Sequence, residues 1–458
     1  MLTDYERTVA AGELVFMDVD DLADIADYYQ QAGRYDDAQR ALDRVLELDP
    51  DSVVALNYMV HQAIDAGNYE EAEQYLQRMD DEDTPEYTYC RAEIWIAQQQ
   101  VDKADDYLRQ CLQDVPADEY QDYVLDVANL YTDYGYNEKA MEWMMRARQE
   151  NTDDFKELMG RTLFGLGKYD DSERIFNELI DRHPFQKRYW NALASTQFMK
   201  EDYSAAVSSS EYAIAIDPAD AEGLLSKANG LYQLANYEEA LDYYRRYNEQ
   251  MPDEEFGLLH QGSCLINLGR FDEAIEVLTH AIDIAPDDSP YTAEICQEAA
   301  FAYSERHQPE TAIYYMEQAE AAGCPTADAA VMKGHIMLSN DRMNEAEEYY
   351  QQAIRHASDK QVTIVRIIVS IYDCRYVEMA YKMFLNFFRD MAGDDCRIGY
   401  AYMALCCYDL KRSDEFLSYL KLACERNPQE ARTVLGHLFP EDMKAADYYT
   451  YMNQKLKQ

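Results

Sequence analysis

The chain has 458 residues, 48% of them hydrophobic, enough for packed structure and too many for a disordered chain. Its formal charge is −47, from 88 acidic and 41 basic residues. That balance argues against nucleic acid and anionic membrane surfaces, which need clustered Lys and Arg, and leaves two uses for the acidity: solubility of a long exposed surface, or a basic partner. The 10 Cys have no recurring spacing, so they read as thiols of a reducing cytoplasm rather than as disulfide staples.

Residues 1–18 form an N-terminal segment without the basic start and apolar core of a signal peptide. No run approaches the roughly 18 uninterrupted apolar residues of a membrane span, which makes cytoplasmic the expected location. From residue 19 a unit begins. Leu22, Ile25, Ala26 and Tyr29 share one face of a first helix. Gly33 permits a turn, and Tyr35 follows. Ala38, Leu42 and Val45 share one face of a second helix, which Asp49-Pro50 ends.

The unit then recurs. Small residues return about every 34 positions at Ala38, Ala72, Ala104, Ala140, Ser172, Ala206, Ala240, Ala274, Ala312, Ala346 and Ala380. The phrase Gly67-Asn68-Tyr69-Glu70-Glu71-Ala72 matches Gly167 to Ser172, Ala235 to Ala240 and Gly269 to Ala274. Pro116, Pro184, Pro218, Pro252, Pro286 and Pro428 close units as Pro50 does. A period of this length marks a repeat array, in which each unit buries its apolar faces against its neighbours.

The pattern of large-x-x-large-small-x-x-aromatic, turn, small-x-x-x-large-x-x-small, Pro resembles the tetratricopeptide repeat family over roughly residues 19–428, about twelve units. The resemblance implies an all-α fold: an α-solenoid of antiparallel helix pairs wound into a right-handed superhelix, with the first helix of each pair lining a concave groove. Residues 19–360 read as the regular array, 361–428 as degenerate repeats, and 429–458 as C-terminal capping helices. Val101 replaces the turn aromatic, Phe416 sits at a small anchor, and the unit around 293–325 is longer, which points to a first helix extended past Ser289-Pro290.

Groove positions are acidic in the early units, at Asp20, Asp24, Asp27, Glu86, Glu93, Asp122, Asp126 and Asp133. The middle units change to Arg161, Arg188, Asn191, Ser195 and Asn229. Arg grips a carboxylate through two parallel hydrogen bonds and Asn holds peptide backbone, so these five residues form a candidate site for a peptide or an acidic terminus, weighed against solvated side chains balancing nearby acids. Tyr58, Tyr89 and Tyr232 are candidate aromatic anchors. A second candidate is the apolar region 361–388, with Val362 to Tyr372 apolar nearly all round. It implies either cover by the C-terminal helices or a self-association surface.

Phosphate-binding Gly-rich loops, a Gly-x-Ser-x-Gly elbow, a Cys-x-x-Cys pair and a His-Glu-x-x-His helix are all missing from the sequence, which leaves no framework for catalysis, a metal or a cofactor. The expected function is a non-catalytic scaffold that holds a protein or extended peptide in the groove. A self-assembling subunit using 361–388 and a cochaperone-like accessory of another enzyme are the alternatives.

Overall fold

In a computed structural model, residues 2–10, 17–31, 34–79, 84–286, 288–391, 396–440 and 443–456 are described. Gly33 and the side chains of Asp20, Asp27 and Tyr35 lie outside the described residues. The described residues hold 27 α-helices and no strand. They divide into two compact units, Met1–Ile216 and Asp217–Gln458.

The first unit opens with α1 (Leu2–Ala10), whose Tyr5 is buried against Tyr29. Six helix pairs follow: α2 (Val19–Gln31) with α3 (Tyr35–Leu48), α4 (Val53–Asp65) with α5 (Tyr69–Leu76), α6 (Pro85–Ala97) with α7 (Val101–Cys111), α8 (Tyr120–Asp133) with α9 (Asn137–Met144), α10 (Asp153–Gly165) with α11 (Tyr169–Arg182), and α12 (Lys187–Met199) with α13 (Tyr203–Ile216).

The second unit has six more pairs: α14 (Ala221–Gln233) with α15 (Tyr237–Gln250), α16 (Glu255–Asn267) with α17 (Phe271–Ile284), α18 (Thr292–Glu305) with α19 (Pro309–Ala321), α20 (Thr326–Ser339) with α21 (Met343–His356), α22 (Lys360–Asp373) with α23 (Val377–Asp390), and α24 (Tyr400–Asp409) with α25 (Ser413–Arg426). It ends with α26 (Pro428–Leu435), one 3-10 turn and α27 (Ala445–Lys455). Each unit is therefore an α-solenoid in which a helix packs on its pair partner and on the adjoining pair.

The small anchors work as close-approach points. Ala38, Ala72, Ala104, Ala140, Ala240, Ala274, Ala312 and Ala380 are wholly buried. On the first helices Gly160, Gly262 and Gly334 play the matching part, each facing a large side chain of its second helix: Phe176, Leu278 and Tyr350. In the eleven pairs whose turn is described, one residue between the helices turns left-handed and closes the first helix. At Gly67 (φ 69°) and Ala235 (φ 57°) alike, the next N–H bonds back to the first helix, Asn68 to Ala63 and Asn236 to Leu231.

Two expectations change. The long unit does not extend its first helix, because α18 starts at Thr292 and Ser289 to Tyr291 form a turn; Ser289 Oγ bonds Glu255 and receives the Tyr291 N–H. Over 361–388, α22 buries Val365, Ile367, Ile368 and Ile371 against α20, α21 and α23, while α26 and α27 pack on α24 and α25. All 10 cysteines are free thiols. Among the described residues no helix is long and apolar enough to cross a membrane.

Candidate partner-binding surface

First helices of adjacent pairs lie side by side, and their polar side chains reach across the seam. In the first unit Tyr89 on α6 donates to Asp126 on α8 at 3.0 Å, and Tyr134 after α8 donates back to Glu93 at 2.9 Å. The Thr132 and Thr162 hydroxyls meet at 3.0 Å. In the second unit Asn267 donates to Tyr232, Ser304 meets Ser339 at 3.2 Å, and His335 Nδ1 meets Ser370 Oγ at 3.0 Å. These bonds fix neighbouring first helices in register and leave a preformed polar face in each unit.

Arg161 is exposed on α10 and spans back to α8, donating to Asn129 at 2.9 Å and Asp133 at 2.5 Å. Arg188 is exposed on α12 and pairs with Glu157 at 2.9 Å. Asn191, one turn further on, is only 2% exposed, so it faces the interior while Arg188 faces solvent. Ser195 is half-buried on the same helix. Asn229 belongs to the second unit, half-buried, and accepts the Tyr244 hydroxyl at 2.6 Å. Both arginines thus already hold acids of the preceding first helix.

Two clefts open on these faces. The first, of about 780 Å³, lies between α6 and α8 under the loop that follows α7, with Tyr89, Tyr123, Asp122 and Asp126 in its wall. The second, of about 710 Å³, is bounded by α16, α18, α20 and the loop after α19, with Asn267, Glu294, Glu298 and Phe301 in its wall. Volumes of this size suit a peptide side chain and its neighbours. Burial pushes the Asp126 carboxyl up, against the Tyr89 hydrogen bond that lowers it, and Asp122 adds to the rise. Burial pushes Glu298 up in the same way, reinforced by Glu294 one turn away. Of the tyrosines singled out from the sequence, Tyr89 lines the first cleft, Tyr232 accepts from Asn267 in the wall of the second, and Tyr58 is half-buried.

Cys374 Sγ lies 3.6 Å from His335 Nδ1, but burial holds that thiol up to about 11, so the pair presents a neutral thiol at neutral pH. Burial pushes His260 down, within a nest of Phe256, Tyr232 and Tyr244 rings. Among the described residues no group of three or more His, Cys, Asp and Glu could hold a metal ion.

Three family models, each described as a tetratricopeptide repeat, match residues 29–94, residues 158–221, and residues 257–288 with 327–359. No curated protein matches the chain. Among solved structures, a tetratricopeptide repeat protein from Parabacteroides merdae ATCC 43184 is 17% identical, covering 55% of this chain and 98% of that one, with a TM-score of 0.42. YrrB, described as a TPR protein with an unusual peptide-binding site, is 15% identical over 41% of this chain and 95% of its own, with a TM-score of 0.35. A chain of the APC/C hetero-tetramer Cut9-Hcn1 is 14% identical over 92% and 90%, with a TM-score of 0.34.

Proposed function

The chain is a tetratricopeptide-repeat protein, and we propose that it acts without catalysis, as a cytoplasmic scaffold that holds a protein or extended peptide along the first-helix faces of its repeats. One observation carries this reading: the first helices are bonded to one another into a preformed face, and each unit has a cleft of several hundred Å³ in it. A rigid receptor gives up little entropy on binding, which suits a partner that arrives as an extended segment. Residues 19–360 form the regular array in this proposal, 361–428 its divergent end and 429–458 the cap. Arg161 and Arg188 enter as exchange points, where a partner's carboxylate takes the place of Asp133 or Glu157, with the half-buried Ser195 further along α12.

The test is site-specific cross-linking in the native cell. A photoreactive phenylalanine replaces Phe301 in the second cleft, and in a separate protein replaces Glu317, which is exposed on the second helix α19. Cross-links to other proteins from position 301, with few or none from 317, are the expected result. Equal yields from both positions would remove the first-helix face as the binding surface.

A further inference from the structure

Ion pairs join the first helices of adjoining repeats. Glu157 on α10 meets Arg188 on α12 at 2.9 Å, and Asp328 on α20 meets Arg366 on α22. Asp328 lies in the first turn of α20 and Glu157 just past the first turn of α10, and in both cases the next first helix supplies the guanidinium. The first-turn acids of α8 and α18, Asp122 and Glu294, have no such partner among the described residues. Laying Ala128 on Ala300 and Tyr131 on Tyr303 brings Asp122 onto Glu294 and Asp126 onto Glu298. So α8 and α18, one in each unit, carry the same two carboxylates one helical turn apart at the same repeat positions. Among the described residues no Lys, Arg or His forms an ion pair with any of the four.

All four carboxylates line the two clefts, the first alongside Asp114 and Glu119. Where Arg366 stands on α22, the equivalent position on α20 is Met332, a wall of the second cleft. Tyr89 and Tyr123 occupy the first cleft, and Phe301 and Asn267 the second. The surroundings are thus aromatic and amide surface beside a carboxylate pair without its counter-charge. Repulsion between acids one turn apart, in partly dry surroundings, is relieved by a cation placed between them. Aromatic walls accept the apolar stem of a long basic side chain while its head reaches the acids.

We propose that each cleft takes a lysine or arginine side chain from a basic, extended segment of a partner protein, the head between Asp122 and Asp126 or between Glu294 and Glu298. The chain's charge of −47 supplies long-range attraction for such a segment. The clefts turn that general attraction into placement, as Arg188 and Arg366 do within the chain. The proposal rests on the scaffold reading and names the partner's chemistry.

The test uses the full chain, at about 0.15 M salt, where diffuse attraction is screened beyond roughly 8 Å. Binding of a labelled octapeptide of alternating Arg and Ala is followed by fluorescence anisotropy. The double variants Asp122→Asn/Asp126→Asn and Glu294→Gln/Glu298→Gln are each expected to weaken it about tenfold at the altered cleft, while the other cleft binds as before. The control Glu276→Gln/Glu317→Gln, which removes the same charge from second helices, is expected to change it less than about twofold. Met332→Arg, which repeats the register of Arg366 against Asp328, is expected to weaken the peptide as the diacid variants do and to raise the melting temperature. Equal losses in cleft and control variants overturn the proposal. Cross-links from position 301 that persist in a chain carrying Glu294→Gln/Glu298→Gln leave the scaffold reading standing and remove this one. Loss of cross-links even in the parent chain removes both.

Discussion

Asp105 is a carboxylate the chain has fully answered. It is 4% exposed on α7, accepts the Trp143 indole N–H at 2.8 Å and Arg109 Nε at 2.9 Å, and meets Lys139 Nζ at 3.1 Å. Burial pushes its carboxyl up, but the Trp143 and Lys139 hydrogen bonds and the two cations more than offset that, and the net shift is downward. Its stabilising part is therefore complete above the ordinary aspartate range and is lost as pH falls through the lower folded value. Asp105→Asn, which removes the counter-charge of two cations and one of the oxygens their N–H groups donate to, is expected to cost about 2–3 kcal/mol, read as a lower urea midpoint at pH 7 and a much smaller difference at pH 2. Glu298 is the opposite case. Its folded form keeps a proton to higher pH than the unfolded chain does, so its charge weakens the fold at neutral pH. The penalty fades as pH falls through the raised value and is gone below the ordinary glutamate range. Glu298→Gln is expected to stabilise the protein by roughly 0.5 kcal/mol at pH 7.5 and by nothing measurable at pH 4. A variant less stable than the parent at pH 7.5 would mean that Glu298 has a favourable partner inside the fold.

Helix pairs repeat one backbone solution with unequal means. The residue after the first helix is left-handed at Gly67, Gly135, Gly167 and Gly269, but also at Gln99, Glu201, Ala235, His307, Asp341, Arg375 and Lys411. A Cβ in that conformation is strained, so Ala235→Gly is expected to raise stability by about 0.5–1 kcal/mol even though it adds no contact. Gly334 is the converse. A Cβ there would come within 2.5 Å of Tyr350 Cδ1, and that ring is held by a 2.7 Å bond from its hydroxyl to Ser370. With the ring tied at both ends, Gly334→Ala is expected to cost about 1–3 kcal/mol by overpacking, measured by chemical denaturation. These two positions show what the sequence made legible. The 34-residue rhythm locates every pair, because apolar spacing and small anchors are local features; even Val101 starts its helix and Phe416, at a small anchor, is 1% exposed. The turn at Ser289 to Tyr291 was not legible, since a longer repeat fits an extra helical turn or an extra loop equally well until the Ser289–Glu255 contact chooses. Nor was the pairing of Arg161 and Arg188, which depends on side chains 28 and 31 residues away meeting across a seam. The diacid on α18 was hidden among 88 acids, and only its register match to Asp122 and Asp126 sets it apart.

At the scale of the whole chain, charge and ion pairs make opposite demands on salt. Many pairs are exposed and join neighbouring repeats, as Arg270 with Glu238 and Glu273, Arg342 with Glu310 and Glu345, and Arg412 with Glu378 and Glu415 do. Each contributes a few tenths of a kcal/mol at most when solvent-exposed, and screening weakens all of them. Against them stands an excess of 47 negative charges with no basic counterpart. That excess repels itself over the length of each unit, and the unfolded chain, being more expanded, feels it less. The larger effect is the repulsion, so raising NaCl from 0.02 to 0.5 M is expected to raise the melting temperature by several degrees rather than lower it. The same change is expected to weaken the arginine octapeptide, because its approach depends on the field that salt removes. Opposite signs in one titration, a fold that tightens while its cationic ligand loosens, identify the surplus acidity as something kept for binding at a cost in stability. A melting temperature that falls together with affinity would assign the acids to the inter-repeat ion pairs instead.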